Sequence, residues 1–384
     1  MAALAGPVPP VTDRIKWVAH PGVHMHAFTG IAGSTRSPRR IFVALIVAFG
    51  LALGLTSAPA HAAETDNRGL FGVQDPTYDG VYRQSAAIMG LTAARAPVPS
   101  TAVDWLLRQQ CADGSFGAYR ADPSQPCSAP DPANFTGPDS NSTAVAIMAL
   151  RSIQSTQAKP APDIQRATKK AAAWLASQQQ DDGGWEWIAG LGADSTSTAM
   201  ALAALGRKGN PGFRAGATWL KSQMNTPTNC GVPFTPGGSV DPLSTSWTLI
   251  AAQGSLPYAR HRGARVTAAC TDLTRSALSA GTWIADALVT GEGRIASSFT
   301  PDETDWNSTA LATLGISQAH GSTRAMRLGV AALQANVLAY TRTSTGDMPA
   351  ALGTLLMVAQ ATGADAKDFG GENLRRNLLA TLQK

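Results

Sequence analysis

The sequence has few of the residues that carry most enzyme chemistry. Of its six histidines, only His261 and His320 follow residue 62, and neither stands in a cluster with metal-ligand spacing. The sequence also contains no nucleophile elbow and no phosphate-binding glycine loop. These absences give no support to a metal-dependent or nucleophilic enzyme, and we expect neither a cofactor nor a bound metal.

Net charge is also low once the N-terminal region is set aside. The chain has 31 basic and 26 acidic residues. Residues 1–62 hold five of the basic residues and one of the acidic ones, which leaves 26 against 25 in residues 63–384. The basic pI therefore comes largely from the N-terminal region, and the balance gives no electrostatic support for a nucleic-acid partner.

One long apolar run is present, at residues 41–55. Arg36, Arg39 and Arg40 precede it, and Ala60-His61-Ala62 follows it with small residues at the positions that a signal peptidase reads. A membrane anchor is the alternative, but the run is short for a bilayer span. We therefore predict a signal peptide with an N-terminal extension over residues 1–62, a linker over 63–77, a domain over 78–384, and secretion without a membrane span after cleavage.

Four cysteines follow this region: Cys111, Cys127, Cys230 and Cys270. An even number of cysteines in an exported chain favours two disulfides, for which three connectivities exist. Local pairing, Cys111–Cys127 and Cys230–Cys270, is the prediction, since the first pair would close a proline-rich loop. Free buried thiols are the alternative.

A repeat runs through the rest of the chain. Its first part is a tryptophan-led helix followed by a glycine turn and an aromatic residue, and its copies begin at Trp105, Trp174, Trp219 and Trp283 and reach Phe116, Trp185, Phe234 and Phe299. Its second part is an aspartate three residues before a Ser-Thr or related pair, at Asp139, Asp194, Asp241, Asp305 and, in a worn copy, Asp347. The aspartates lie 42 to 64 residues apart, which indicates stacked supersecondary units.

The two parts predict two kinds of helix. The tryptophan-led helices are amphipathic and would be half-exposed, whereas the helices after each Ser-Thr pair are apolar nearly all round and would be buried. We therefore predict an all-α fold, a closed α6/α6 toroid of six helical hairpins, with an open solenoid as the alternative. The predicted inner helices are 81–94, 142–154, 197–206, 244–254, 307–318 and 348–361. The predicted outer helices are 101–110, 164–179, 212–224, 272–288, 323–338 and 370–382.

The run Gln-x-x-Asp-Gly-x-[Trp/Phe], at residues 110–116 and 179–185, resembles the QW repeat of squalene cyclases and of protein prenyltransferase β subunits. The resemblance, to secreted bacterial repeat proteins of this prenyltransferase/squalene oxidase type, covers about residues 78–384. It implies the α6/α6 toroid, and it implies structural roles for Gln110, Phe116, Gln179 and Trp185, which would join outer helices to turns. Several functions occur on this fold, so the repeat alone does not specify an activity.

The chemistry of those relatives is not visible in the sequence. Squalene-type cyclases protonate an alkene with an Asp-x-Asp-Asp motif, and the nearest run here, at residues 302–305, has different spacing. A carbocation also needs aromatic cavity walls, and few aromatics are left without a packing role: Tyr78, Tyr82, Trp247, Trp306 and Tyr340. The zinc ligands of protein prenyltransferases and the thioester Cys-Gly-x-Gln of complement-type domains are missing as well.

The candidate site is the mouth of the ring, where the inner helices begin. The simple interpretation is that each aspartate only caps its helix. Residues 302–306 depart most from the repeat. Asp302, Glu303 and Asp305 are therefore the catalytic candidates, and the ligand-binding candidates are Trp306, Trp247, Tyr82, Asp241, Asp194 and Asp139.

The functional hypothesis is a secreted, non-catalytic protein that binds an extracellular ligand or an envelope partner at this mouth, of which cobalamin capture is one form. The alternative is an extracellular carbohydrate-active hydrolase or lyase that uses two carboxylates at the mouth. A terpene cyclase or prenyltransferase ranks below both.

Overall fold

The computed structural model describes residues 66–157, 161–224, 230–253, 257, 276–298, 300 and 302–384. Within these ranges the chain forms thirteen α-helices and two short β-hairpins. None of the helices described is long and apolar enough to cross a membrane. The predicted signal peptide, residues 1–62, lies outside the described residues and stays a prediction. His261 and Cys270 lie outside them as well.

Six helices form an inner layer, and almost all of their side chains are buried. In the fifth helix of the chain every residue is buried, as expected for a segment that is apolar on all faces. The inner helices are α1 (Gly80–Ala93), α3 (Ser140–Thr156), α5 (Ser195–Leu205), α7 (Pro242–Ala252), α9 (Trp306–Gln318) and α12 (Pro349–Thr362).

The remaining long helices form an outer layer and bury one face only. The α4 helix, for example, buries Ile164, Ala167, Ala171 and Leu175, whereas Lys169 and Lys170 between them are exposed. The outer helices are α2 (Ser100–Arg108), α4 (Pro162–Ser177), α6 (Phe213–Gln223), α8 (Ser276–Thr290), α10 (Thr323–Ala335) and α13 (Leu374–Ala380). A further short helix, α11 (Val337–Thr341), follows α10 and has no counterpart in the sequence-based prediction.

The inner helices form a closed ring. Each contacts the next in the order α1, α3, α5, α7, α9 and α12, and α12 packs in turn against α1. They run in the same direction, since the start of α5 meets the start of α7 through the Thr196 and Ser244 hydroxyls (2.8 Å) and Ser317 near the end of α9 bonds Ala361 near the end of α12 (3.0 Å). The predicted α6/α6 toroid is confirmed, and the open solenoid is not.

The chain segments before α1 and after α13 pair with each other. The Gly69 and Gly72 N–H groups donate to the carbonyls of Gln383 and Thr381, both at 2.9 Å, and the Gln383 N–H donates to the Leu70 carbonyl (2.9 Å). Phe71 in this segment is fully buried. The ring is thus closed twice, by helix packing and by this terminal clasp.

Four of the turns that lead from an outer to an inner helix share one hydrogen bond. In these four, the backbone N–H of a buried residue donates to the threonine hydroxyl of the following Ser-Thr pair: Phe116 to Thr143, Trp185 to Thr198, Val232 to Thr245, and Ile295 to Thr309, at 2.9–3.0 Å. A residue with positive φ stands two positions before each donor: Gly114, Gly183, Cys230 and Gly293. The equivalents of Phe116 in the third and fourth copies are therefore Val232 and Ile295. The sequence-based assignment of Phe234 was wrong, and Phe299 lies outside the described residues.

Removing one of these hydroxyls should destabilise the fold measurably. Thr198→Val keeps the shape of the side chain but leaves the Trp185 N–H, which is fully buried, without its acceptor. A cost of about 1–3 kcal/mol is expected, whereas Thr198→Ser keeps the hydroxyl and should cost less. Urea unfolding of both variants measures the difference. Equal loss in the two would contradict a role for the hydrogen bond.

Two glutamines of the repeat, Gln110 and Gln179, join their turns to the next outer helix. The Gln179 side-chain amide donates to the Gly183 carbonyl in its own turn and to the Gly212 carbonyl just before α6, both at 2.9 Å. Gln110 makes the same pair of bonds, to Gly114 (3.0 Å) and Ala167 (2.9 Å). These contacts support the structural role that the resemblance implies for the glutamines.

A disulfide joins Cys111 to Cys127, within the long connection between α2 and α3. The pairing predicted for Cys230 involves Cys270, which is not among the described residues. No cysteine in the described part of the chain is free. The disulfide fixes a proline-rich loop on the side of the ring where α3 begins.

Candidate functional site

Four aspartates cap inner helices around the mouth of the ring. Their carboxylates accept hydrogen bonds from the backbone N–H three residues later, at 2.7–2.9 Å: Asp139 from Ser142, Asp194 from Ser197, Asp241 from Ser244 and Asp305 from Ser308. Asp347 does not do this. It lies on a hairpin strand, where its carboxylate pairs with Arg342 (2.7 Å), and Met348 is the N-cap of α12. Capping therefore accounts for four of the five predicted positions.

Two of the capping carboxyls are in an unusual environment. Asp139 and Asp194 are 4% and 3% exposed, and burial raises the pKa of the first to about 6 and that of the second to about 7. Hydrogen bonds from Ser142 and Ser197 oppose these shifts but are outweighed. At neutral pH Asp194 is therefore divided between its protonated and ionised forms, which is the condition for acid catalysis.

Trp187 links the two buried acids. Its side chain hydrogen-bonds Asp139 and its backbone hydrogen-bonds Asp194, while its carbonyl accepts the Ser140 N–H (2.9 Å). Its ring stacks on that of Phe135, with centroids 5.4 Å apart. Trp187 was not predicted as a site residue from the sequence, because it belongs to neither part of the repeat. Its position two residues after Trp185, in the turn before α5, was the available signal.

A second polar cluster lies across the ring, between α1, α9, α11 and α12. The Tyr340 hydroxyl donates to the Asn307 amide oxygen (3.1 Å) and also hydrogen-bonds Thr354. Desolvation raises the pKa of Tyr340 and, to about 12, that of Tyr82, with which Tyr340 interacts electrostatically. Both phenols therefore stay protonated in the physiological range. Tyr82, a predicted ligand-binding residue, therefore lies beside Tyr340, whose hydroxyl already hydrogen-bonds Asn307.

The predicted catalytic residues Asp302 and Glu303 lie in an exposed loop. The Glu303 carboxylate accepts the Thr300 hydroxyl (2.8 Å), and its carbonyl accepts the Ser297 N–H (2.9 Å). Asp305 caps α9, whose inner neighbours are α7 and α12. The structure therefore keeps this predicted trio apart from the two buried acids, which belong to α3 and α5.

The predicted tryptophans differ in accessibility. Trp247 is 4% exposed and packs within the hydrophobic core, so its ring is not open to solvent. Trp306, the first residue of α9, is half-buried against that core. His320 lies at the other end of α9. Within the described ranges, no group of three or more His, Cys, Asp and Glu side chains could hold a metal ion.

Comparison with known proteins gives one family match. The model for the squalene-hopene cyclase C-terminal domain matches residues 75–202, which is about a third of the chain and includes Tyr82, Asp139, Trp187 and Asp194. Among curated proteins, no significant match is found.

Several solved structures resemble the fold. The type II terpene cyclase MstE from Scytonema is 16% identical, with 73% of this chain and 88% of that one covered and a TM-score of 0.45. A variant of the same enzyme, in complex with its substrate geranylgeranyl dihydroxybenzoate, is 14% identical. The match covers 77% of this chain and 92% of that one, with a TM-score of 0.49. The ent-copalyl diphosphate synthase from Streptomyces platensis is 14% identical, with a TM-score of 0.47. The match covers 74% of this chain and 50% of that one, so this chain spans about half of that protein.

The family match corrects the functional hypothesis drawn from the sequence. A non-catalytic binding protein, including the cobalamin-carrier form, was ranked first and a terpene cyclase last, and the matching family model is that of a cyclase domain. The ranking was wrong because it gave the missing Asp-x-Asp-Asp motif and the small number of aromatic residues left for a cavity wall more weight than the repeat. With an α6/α6 toroid and a family model that matches residues 75–202, the fold of this chain is squalene cyclase-like.

Proposed function

We propose that this protein is an enzyme of the terpene-cyclase class, which begins the cyclisation of an isoprenoid chain by protonating a carbon–carbon double bond, and that Asp194 is the acid. The observation that carries the proposal is the burial of this carboxyl, which raises its pKa to about 7. The match of residues 75–202 to a squalene-hopene cyclase domain supports the reaction class.

The surroundings of Asp194 suit the two halves of a proton transfer. In the protonated form, its O–H would give the proton to one alkene carbon, while the π electrons form the new C–H bond and leave a carbocation at the other carbon. The carboxylate that remains would accept the Ser197 N–H and hydroxyl (2.8 and 2.6 Å), which stabilise the negative charge. Loss of a proton from the cyclised cation to water, and reprotonation of Asp194 by solvent, completes the cycle.

The departure from Asp-x-Asp-Asp changes how the acid would be tuned. Two and three residues after Asp194 stand Thr196 and Ser197, and the same positions after Asp139 hold Asn141 and Ser142. No second carboxylate is therefore supplied by the same segment. Desolvation, the largest cause of the raised pKa at both acids, would take over the part that a neighbouring charge can play.

The test is conversion of squalene and of a geranylgeranyl-bearing substrate by the purified protein, with products separated by gas chromatography–mass spectrometry. In D₂O each cyclised product should gain one deuterium. Asp194→Asn should lower turnover by about 10²–10⁴-fold, while Asn keeps the helix cap. Asp113→Asn is the matched control, because Asp113 also accepts a backbone N–H, that of Ser115 (3.0 Å), in an exposed turn.

Two results would overturn the proposal. One is that the wild-type protein, folded by circular dichroism, converts neither substrate. The other is that Asp194→Asn cyclises as fast as Asp113→Asn, which would exclude Asp194 as the proton donor.

A further inference from the structure

A cavity of about 610 Å³ opens at the end of the ring opposite the mouth. Ala94, which follows α1, and Gly363, the C-cap of α12, both line it, so it lies where these parallel inner helices end. A smaller cavity of about 310 Å³, which includes His320, adjoins it through Gly363. The buried acids at the helix starts take no part in either.

Three cationic side chains line the larger cavity: Lys367, Arg375 and Arg376. All three are exposed, and none forms an ion pair with another described residue. One carboxylate, Asp365, also lines the cavity and accepts a hydrogen bond from the backbone N–H of Lys367 (2.8 Å). Three cations against one carboxylate leave an excess of positive charge, which would attract an anion.

The segment that carries these cations is fixed in place. The Leu374 N–H donates to the Ala366 carbonyl (3.1 Å), and Asn373 caps α13 by accepting the Arg376 N–H (2.9 Å). Phe369 and Leu374 are fully buried beneath it. The backbone therefore holds the cationic residues in position before any ligand binds, which lowers the entropic cost of binding.

Part of the cavity wall is apolar. Ala94 and Leu379 of α13 are half-buried on it, and Leu356 and Ala359 of α12 are buried behind it. Cationic side chains beside an apolar wall suit a molecule with a negatively charged head and a hydrocarbon part. We propose that this cavity binds an amphiphilic oxyanion, a phosphate or carboxylate carried on an apolar chain, at a site separate from the one proposed for catalysis.

Isothermal titration of the whole protein with octyl phosphate, inorganic phosphate and octyltrimethylammonium tests this proposal. Octyl phosphate should bind at least about tenfold more tightly than inorganic phosphate, because it also buries methylene groups. Its affinity should fall as the salt concentration rises. The cationic octyl compound should not bind.

Arg375→Gln/Arg376→Gln should weaken octyl phosphate binding by about tenfold or more, because charge-assisted hydrogen bonds to the head group are lost. Arg324→Gln/Arg327→Gln removes the same charge from exposed positions on α10 and should leave the affinity unchanged. Equal affinity for octyl phosphate and inorganic phosphate would contradict an amphiphilic ligand. An equal loss of affinity in the two double variants would contradict binding at this cavity.

Discussion

Gly353→Leu is expected to prevent the ring of inner helices from closing, so that the variant lacks a cooperative unfolding transition. Gly353 and Gly90 face each other where α12 packs on α1. A Cβ on Gly90 would lie 2.6 Å from the Gly353 Cα, and a Cβ on Gly353 would lie 2.6 Å from the Ala86 carbonyl carbon. Backbone atoms are the obstacle on both sides, and they cannot turn away as a side chain can.

Alanine at the same position gives a graded version of this result. Gly353→Ala should destabilise the protein by about 1–3 kcal/mol through overpacking, even though alanine has the higher helix propensity. Gly315→Ala is the matched control on α9. There a Cβ would lie 3.4–3.5 Å from the Leu249 and Ile250 side chains and the Ser246 carbonyl oxygen, which are ordinary contacts, so the variant should gain up to about 1 kcal/mol. Chemical denaturation followed by circular dichroism measures both. Similar stability of the two alanine variants would show that the α1–α12 contact is not tight.

The second large effect concerns pH. The pKa of Asp194 is about 7 in the folded protein and 3.8 in the unfolded chain. The folded state therefore holds the proton more tightly, so its contribution to stability is fully present below pH 3.8 and is lost as the pH rises through 7. At about 1.4 kcal/mol per pKa unit, the loss is on the order of 4 kcal/mol.

Asp194→Asn isolates this contribution, because the amide cannot ionise and still caps α5. We expect the free energy of unfolding of the wild type, relative to Asp194→Asn, to fall between pH 4 and pH 8 in urea titrations at several pH values. Asp139→Asn should show the same trend with the fall complete nearer pH 6, since the pKa of Asp139 is about 6. A parallel pH dependence of wild type and Asp194→Asn would show that the carboxyl ionises without cost.

The architecture could be predicted from the sequence because each helix type has its own periodicity. The segment after Asp194 is apolar on every face and buries every residue, whereas α4 alternates lysines with buried alanines. The glycines marked the turns but not the helix ends: α2 and α4 end at Arg108 and Ser177, six residues before the positive-φ glycines Gly114 and Gly183. The closed ring followed from counting six pairs without a polar capping unit.

The candidate site could be predicted only in part. The capping role of Asp194 is local and can be recognised from its spacing to Ser197, but its raised pKa depends on burial, which is a property of the whole assembly. Asp347 has the same spacing pattern in a worn form, yet Arg342 pairs with it in a hairpin. Val232 could not be recognised as the equivalent of Phe116, because the shared feature is a backbone hydrogen bond rather than a side-chain type.

The terminal clasp makes the position of the chain ends incidental to the toroid. Because Gly69 and Gln383 are hydrogen-bonded neighbours, a few added residues could join the two ends of the described domain, and the chain could be opened elsewhere. The connection between α5 and α6, which lies away from the mouth and holds the exposed Gly209, is a suitable place for the opening. If the circularly permuted protein folds with the stability of the wild type, the toroid depends on the packing of its repeats and not on the order in which they are synthesised.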